Sequence, residues 1–382
     1  MFKILQVTAS YKPAFIYGGP TISVSRLCEA LEKTANKVTV LTTTANGDKD
    51  FDIEEGDLKI IDGVSLVYFH RKTKDHSHWS PGLLKYLNKH ISQYDIVHIQ
   101  AWWNLVSMGA AFICKIKNKR IVLSPRGTLS SYTFGSKRNP FKRIFHITIG
   151  NWLLKNAYFL VSSEKEGEDI KSIIKNPYIK VIPNLIQLAD WESPLIDNKI
   201  SAELKLVFFS RIEKKKGLEF MLKALNKADF NFVFDIYGSG EVDYIAELKS
   251  VISPSIQCKI NWKGSVFGDD KFRLLQAYDL MVLPSYDENF ANVVIESLSV
   301  GTAVLITRKV GLSDYVEKQG LGWICEQSTD KIIAILKTIN EDRKELIRIS
   351  QVAPALIQTD FSEQNLIKQY ITFYNSVLKS TS

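Results

Sequence analysis

The chain has 382 residues, 45% hydrophobic and 24% charged, with a formal charge of +8. This is the make-up of a soluble globular protein of about two domains, and no apolar run is long enough to span a bilayer. Cys28, Cys114, Cys258 and Cys325 lie far apart and form no C-x-x-C pair, which argues against zinc and a disulfide framework and for a reducing cytosol.

The N-terminus, MFKILQVTASYKPA, lacks a signal-peptide pattern and reads as a first strand. A turn, Tyr17-Gly18-Gly19-Pro20, leads into the amphipathic helix TISVSRLCEALEK. Glycines there permit positive φ and close backbone approach, and the helix start favours phosphate. Strands KVTVLTT, SLVYF, DIVHIQ, RIVLSP and AYFLVSS follow, each short, apolar and ended by polar or breaker residues. His98 falls near the end of DIVHIQ and Arg126 follows in SPRG. His98 faces either a cleft or a satisfied core. Arg126 suits phosphate or acceptor binding, because a guanidinium stays charged.

Charge is uneven. Residues 1–186 hold 26 Lys/Arg against 15 Asp/Glu, and the rest 23 against 26. No acidic residue occurs between Asp95 and Glu164, a stretch with ten basic residues, among them Lys115, Lys137, Arg138, Lys142 and Arg143. Trp102, Trp103, Phe145, Ile147 and Trp152 run among them. Such a surface suits an anionic membrane face or a phosphate-bearing acceptor, and equally a solvated basic loop over core aromatics.

Residues 183–203 carry two prolines and no clear period, as a linker would. The alternation then restarts: strand LKLVFFS, helix GLEFMLKALNK, strand NFVFDIYG, helix YIAELKSVI, strand CKINWKG, helix KFRLLQAY, strand DLMVLPS. Arg211 stands just past the first of these strands and Lys216 just before its helix. Two cations at a strand end can neutralise a departing diphosphate, with Lys214 and Lys215 as solvated neighbours. After DLMVLPS, Asn289 is the expected N-cap of a helix that Gly301 stops, with Ala303–Thr307 as the next strand. Glu288 and Glu296 are eight positions apart, roughly 12 Å along a helix axis. First-turn amides near Phe290 and Ala291 would lie between them. Leu366, Ile367, Tyr370, Ile371, Tyr374 and Leu378 mark a packed terminal helix. The alternation predicts an α/β chain of two doubly wound halves, with ligand at the carboxyl ends of the strands.

The Gly18-Gly19 loop, Arg211 and Lys216 after the first strand of the second half, and Glu288-x7-Glu296 occur in an order and spacing that resemble glycosyltransferase family 4, glycosyl transferases group 1. The resemblance covers nearly the whole chain. It implies a GT-B fold of two Rossmann-like domains facing across a cleft. Residues 1–184 would bind the acceptor, 185–360 the nucleotide-sugar donor, and helix 361–382 would cross back to the first domain. By resemblance, Gly18 and Gly19 meet the donor diphosphate or the acceptor, and Arg211 and Lys216 bind the diphosphate. Glu288 and the amides of Asn289, Phe290 and Ala291 meet the transferred sugar, Glu296 the ribose hydroxyls, and Gly238 and Val266 the nucleotide. The family often has glycine at Ala291 and histidine at Arg126, so Arg126 is assigned to catalysis or acceptor binding, and His98 to the acceptor or sugar.

The implied reaction is retaining transfer of a sugar from a nucleotide diphosphate sugar to an acceptor hydroxyl, with no metal or cofactor. The expected acceptor is a lipid-linked saccharide of bacterial surface polysaccharide, met by a cytoplasmic enzyme peripheral at the inner face of the plasma membrane; no nucleic acid partner is expected. An epimerase or phosphorylase on the same fold and a non-catalytic saccharide-binding protein are the alternatives. Asp48-Lys49-Asp50 reads as a surface loop rather than a metal-binding D-x-D. YGSGE lacks the third glycine of a dinucleotide fingerprint.

Overall fold

Short β-branched and aromatic runs alternate with amphipathic helices, and in the computed structural model they form two sheets. It describes residues 1–135, 140–189, 202–266, 268 and 270–380; Lys137 and Arg138 of the basic stretch, and residues 190–201 of the linker, lie outside them. The chain forms two compact units, Met1–Ile186 with Glu363–Ser382, and Gln187–Ser362.

In the first unit the strands are β1 (Lys3–Val7), β2 (Lys37–Thr43), the hairpin β3 (Ala45–Asn46) and β4 (Lys49–Asp50), β5 (Leu58–Ile61), β6 (Val64–Phe69), β7 (Ile96–Gln100), β8 (Ile121–Ser124), β9 (Tyr158–Val161) and β10 (Tyr178–Val181). Apart from the separate hairpin they make one sheet in the order β10-β9-β8-β7-β1-β2-β6-β5, parallel except for the last pair. In the second unit β11 (Leu204–Phe209), β12 (Phe232–Tyr237), β13 (Ile260–Gly264), β14 (Leu280–Leu283), β15 (Ala303–Thr307) and β16 (Gly322–Cys325) run parallel in the order β13-β12-β11-β14-β15-β16. The strand order reverses between β1 and β7 and between β11 and β14. At such points the following loops part to opposite faces and leave a crevice at the carboxyl ends.

Period-two alternation sorts the first sheet. Leu5, Val7, Val97 and Ile99 enter one core, under helix Leu105–Ile116. Ile4, Val38, Ile96 and Val122 enter the other, shared with helices Gly19–Glu32 and Glu363–Lys379. The last helix supplies Leu366, Ile367, Tyr370, Phe373, Tyr374 and Val377 to this second core. Arg120 closes its end, donating to the carbonyls of Val377, Leu378 and Ser380.

A polar stripe crosses this second face. Gln6, His98, Gln100 and Ser124 are all buried. Ser124 Oγ donates to Leu160 O at 2.9 Å, so it accepts from His98 Nε2 at 2.9 Å. His98 Nδ1 then accepts from Tyr374 OH at 2.9 Å and Gln6 Nε2 at 3.2 Å. Burial, then the nearby Arg126 charge, push the His98 pKa well below 6.5. The neutral ring is what this network requires.

Between its folded pKa and the unfolded value of about 6.5, His98 is protonated only in the unfolded chain, so it stabilises the fold above pH ~6.5 and that contribution is lost on acidification. His78, pushed down to about 4 chiefly by burial, and His146 act with the same sign. The melting temperature is therefore expected to fall between pH 7 and pH 5, at up to about 1.4 kcal/mol per pH unit per histidine. A His98→Gln variant should show a shallower fall over that range. An equal slope in the two proteins would remove His98 from this account.

Candidate active site

The loops after β11 and β14 flank the reversal point of the second sheet and are in backbone contact. Lys214–Lys216 form a single 3-10 turn, and Gly217, at φ +66°, starts helix Leu218–Leu225. A Cβ on Gly217 would lie 2.2 Å from Pro284 O, so only glycine permits this approach. Tyr286 N donates to Lys215 O at 2.9 Å, tying the loops a second time.

Side chains complete the clasp. Lys216 Nζ lies 2.6 Å from Glu288 Oε2 and Lys215 Nζ 3.1 Å from the buried Asp287 Oδ2. Glu219, in the first turn of helix Leu218–Leu225, accepts from Tyr244 OH (3.1 Å) and Tyr286 OH (3.0 Å). Lys215 is thus a loop-holding residue, not the solvated neighbour expected of it; the contact depends on a loop distant in sequence. Lys214 is exposed, over the Tyr244 ring. Lys216 is 10% exposed, whereas Arg211 is 58% exposed and pairs with Glu213 at 2.5 Å. Lys216 pairs with Glu288, and Arg211 pairs with Glu213.

Glu288 is not helical. It forms an isolated parallel bridge with Val310: its N–H donates to Lys309 O and its carbonyl accepts from Gly311 N. This holds the chain extended past the expected cap, and the helix begins only at Asn292, running to Ser299. Ala291, not Asn289, takes the N-cap place, in the left-handed region at φ +68° and ψ 75°. The first-turn amides therefore start at Asn292, beyond Phe290 and Ala291, and the 12 Å axial separation does not describe the two glutamates. Phe290 is buried against Phe361. Glu296 is buried on the helix and meets Lys271 Nζ at 2.7 Å, from helix Asp270–Gln276. No sequence signal marked Lys271, which lies 25 residues upstream of its partner.

At the neighbouring strand ends, Gly238 N donates to Gly264 O at 2.8 Å, and a Cβ on Gly238 would lie 1.9 Å from Ser210 O. Gly238 is where β11, β12 and β13 come together, and the half-buried Val266 follows β13.

In the first unit Gly18 (φ +71°, ψ −141°) precedes Gly19, the first residue of helix Gly19–Glu32. Arg126, itself left-handed at φ +55°, donates to Gln100 Oε1 (3.0 Å), Ser23 Oγ (3.4 Å) and Asn184 Oδ1. All three acceptors are neutral oxygens. Buried Glu166, absent from the expected site, fixes this turn by accepting from Gly127 N (2.8 Å), Ser162 N (2.8 Å) and Ser162 Oγ (3.2 Å). Its signal was the capping-box pattern Ser163-x-x-Glu166. His98 is corrected from acceptor or sugar binding to the core stripe: its strand position faces the terminal helix, and it is fully buried.

Asp50 of the D-x-D accepts from buried Arg71 at 2.6 Å. Among the described residues no three His, Cys, Asp or Glu are grouped as metal ligands.

Residues 203–342 match the family profile described as glycosyl transferases group 1, and residues 17–190 that of glycosyltransferase family 4. The chain is 23% identical to an uncharacterised glycosyltransferase of Methanocaldococcus jannaschii, over 99% of each chain. An amylovoran biosynthesis glycosyltransferase of Erwinia amylovora is 23% identical over 44% of this chain and 43% of its own. Among solved structures, Anabaena HepE in complex with UDP-glucose superposes with a TM-score of 0.75 at 18% identity, over 98% of this chain and 100% of that one.

Gly217→Ala should lower the melting temperature by about 4–8 °C, from a cost of about 2 kcal/mol for the clash and the positive φ. Ala291→Gly, which relieves about 1 kcal/mol of left-handed strain, should leave it unchanged or raised. Scanning calorimetry of both variants checks the pair; equal shifts in the two would contradict the clasp.

Proposed function

The profile matches over both halves place this chain among the family 4, group 1 glycosyltransferases with the GT-B fold, and we propose that it moves a sugar from a nucleotide diphosphate sugar to an acceptor hydroxyl with retention at the anomeric carbon. The observation that carries this reading is the Lys216–Glu288 contact at the reversal point of the second sheet, with Glu296 on the helix that follows. Lys216 and Arg211 take the donor diphosphate. Glu288 and the backbone of Asn289, Phe290 and Ala291 take the transferred sugar, Glu296 the ribose, and Gly238 and Val266 line the nucleotide. In the first unit, Gly18, Gly19 and Arg126 take a phosphate group or an anionic acceptor.

As the glycosidic bond breaks, negative charge grows on the diphosphate. Fixed cations stabilise that charge more than the ground state, which lowers the barrier. The departing diphosphate accepts the proton of the incoming hydroxyl on the same face, giving retention. Lys216 begins this sequence already held by Glu288, so little reorganisation is required of it. No metal takes part.

The acceptor proposed is a lipid-linked saccharide of bacterial surface polysaccharide, met at the inner face of the plasma membrane by a cytoplasmic, peripheral enzyme. Phe112, Ile116, Ile144, Ile147, Ile149 and Trp152 are exposed in the first unit. Lys115 lies over the Trp152 ring and Lys142 over that of Trp103, 5.9 and 5.3 Å from the centroids. Apolar projections among cations suit an anionic bilayer surface. Among the described residues no helix is long and apolar enough to cross a membrane. The similarity to an amylovoran biosynthesis enzyme supports the polysaccharide assignment.

A screen of nucleotide sugars, read as released nucleoside diphosphate and as glycosylated product, identifies the donor and separates transfer from epimerisation. With that donor, Glu288→Ala and Arg211→Ala should each reduce turnover by about 10²-fold or more, with activity unchanged by chelators. Near-normal turnover in either variant would remove that residue from the mechanism, and loss restored only by a divalent metal would reject the metal-free route. Charge reversal at Lys142 and Arg143 should weaken co-sedimentation with vesicles containing phosphatidylglycerol by about tenfold at low salt. Unchanged co-sedimentation would sink the membrane assignment.

A further inference from the structure

The two glutamates are held alike. Each has one carboxylate oxygen on a lysine from another element: Glu288 on Lys216 from the loop after β11, Glu296 on Lys271 from helix Asp270–Gln276. Lys271 lies outside every motif that pointed to this site. Its side chain is 18% exposed and that of Glu296 12%, with Nζ 2.7 Å from Oε1. Ile295 and Leu298, on the same helix as Glu296, are fully buried, as Phe272 beside Lys271 nearly is. Nζ also lies 4.9 Å from the Phe272 ring centroid.

A carboxylate in such surroundings has lost much of its hydration, and a single cation offsets that loss while fixing the rotamer. The lysine uses one of about four lone-pair directions on the carboxylate. Among the described residues, Oε2 has no protein partner. The group is thus neutralised, oriented and still able to accept, which is what recognition of a diol by two donated hydrogen bonds requires.

Resting on the donor reading above, we infer that Lys271 is a positioning residue: it aims Glu296 at the ribose diol and thereby sets a preference for ribonucleotides over 2′-deoxyribonucleotides. It touches no reacting atom. Its effect is on which nucleotide is held and how tightly.

Isothermal titration of the full chain with UDP, GDP and ADP and their 2′-deoxy forms tests this. Whichever nucleoside diphosphate binds the wild type should bind about tenfold or more tightly than its 2′-deoxy form, the margin of a hydrogen bond to a charged acceptor. Lys271→Met should weaken the ribonucleotide and bring the two forms within about threefold; Lys271→Arg should keep the margin. Lys271→Gln, which retains a donor without the charge, serves if the methionine variant does not melt cooperatively, and the same loss of margin is expected. A salt bridge that merely ties the two helices would lower the melting temperature and leave the margin intact, which would overturn the inference. Failure of the wild type to bind any nucleoside diphosphate, CDP and dTDP included, would instead overturn the donor reading beneath it.

Discussion

Everything in the second unit depends on how closely two loops approach at the point where its strand order reverses. β11 and β14 are neighbours, so the loops that leave their carboxyl ends start about one strand spacing apart. Gly217 lets the backbones touch, with its α-carbon packed beneath Pro284 O. Once the backbones are that close, Lys215 and Lys216 can reach Asp287 and Glu288 with short, partly desolvated contacts. Ion pairs of that kind hold geometry better than they add stability, because burying the charges costs much of what the attraction returns. Their use here is to keep a lysine and a glutamate in fixed mutual position. Glu219 extends the same arrangement outward through Tyr244 and Tyr286.

The first unit solves a different problem. Its parallel sheet is covered on both faces, yet one face carries a row of polar side chains. Each must find a partner inside, since a buried unpaired polar group costs more than a hydrogen bond gains. The row is satisfied as a chain: Arg126 donates to Gln100, Gln100 to Gln6, Gln6 to His98, and Tyr374 of the last helix also donates to His98. The C-terminal helix therefore does more than fill the core. It supplies a donor to the acceptor nitrogen of His98 and shares the row that ends at Arg126.

Much of this was legible in the residues. Strands such as KVTVLTT and AVLIT follow from short β-branched, apolar runs between breakers, and helix Glu363–Lys379 follows from period 3.6. The turn glycines were legible too, although Gly217 and Gly238 serve close backbone approach as much as any ligand. Asn289 was misread because its composition suits a cap, while a bridge to Val310, formed across more than twenty residues, keeps the chain extended there. The residues along DIVHIQ leave the surroundings of His98 open because its partners Gln6, Ser124 and Tyr374 come from three other segments. Lys215 and Lys271 had no local signature: a lysine on a loop or short helix looks the same whether it meets solvent or a carboxylate.

The sequence by itself determined the two doubly wound halves, the family, and the loops on which the candidate chemistry sits, because hydrophobic period and glycine placement are local properties. Tertiary structure decided which charges meet. It set Lys216 on Glu288, Lys271 on Glu296 and Arg211 on Glu213, left Arg126 among neutral oxygens, and withdrew His98 into the core. Pairing of side chains depends on distances across the folded chain, and no spacing along the backbone encodes those distances.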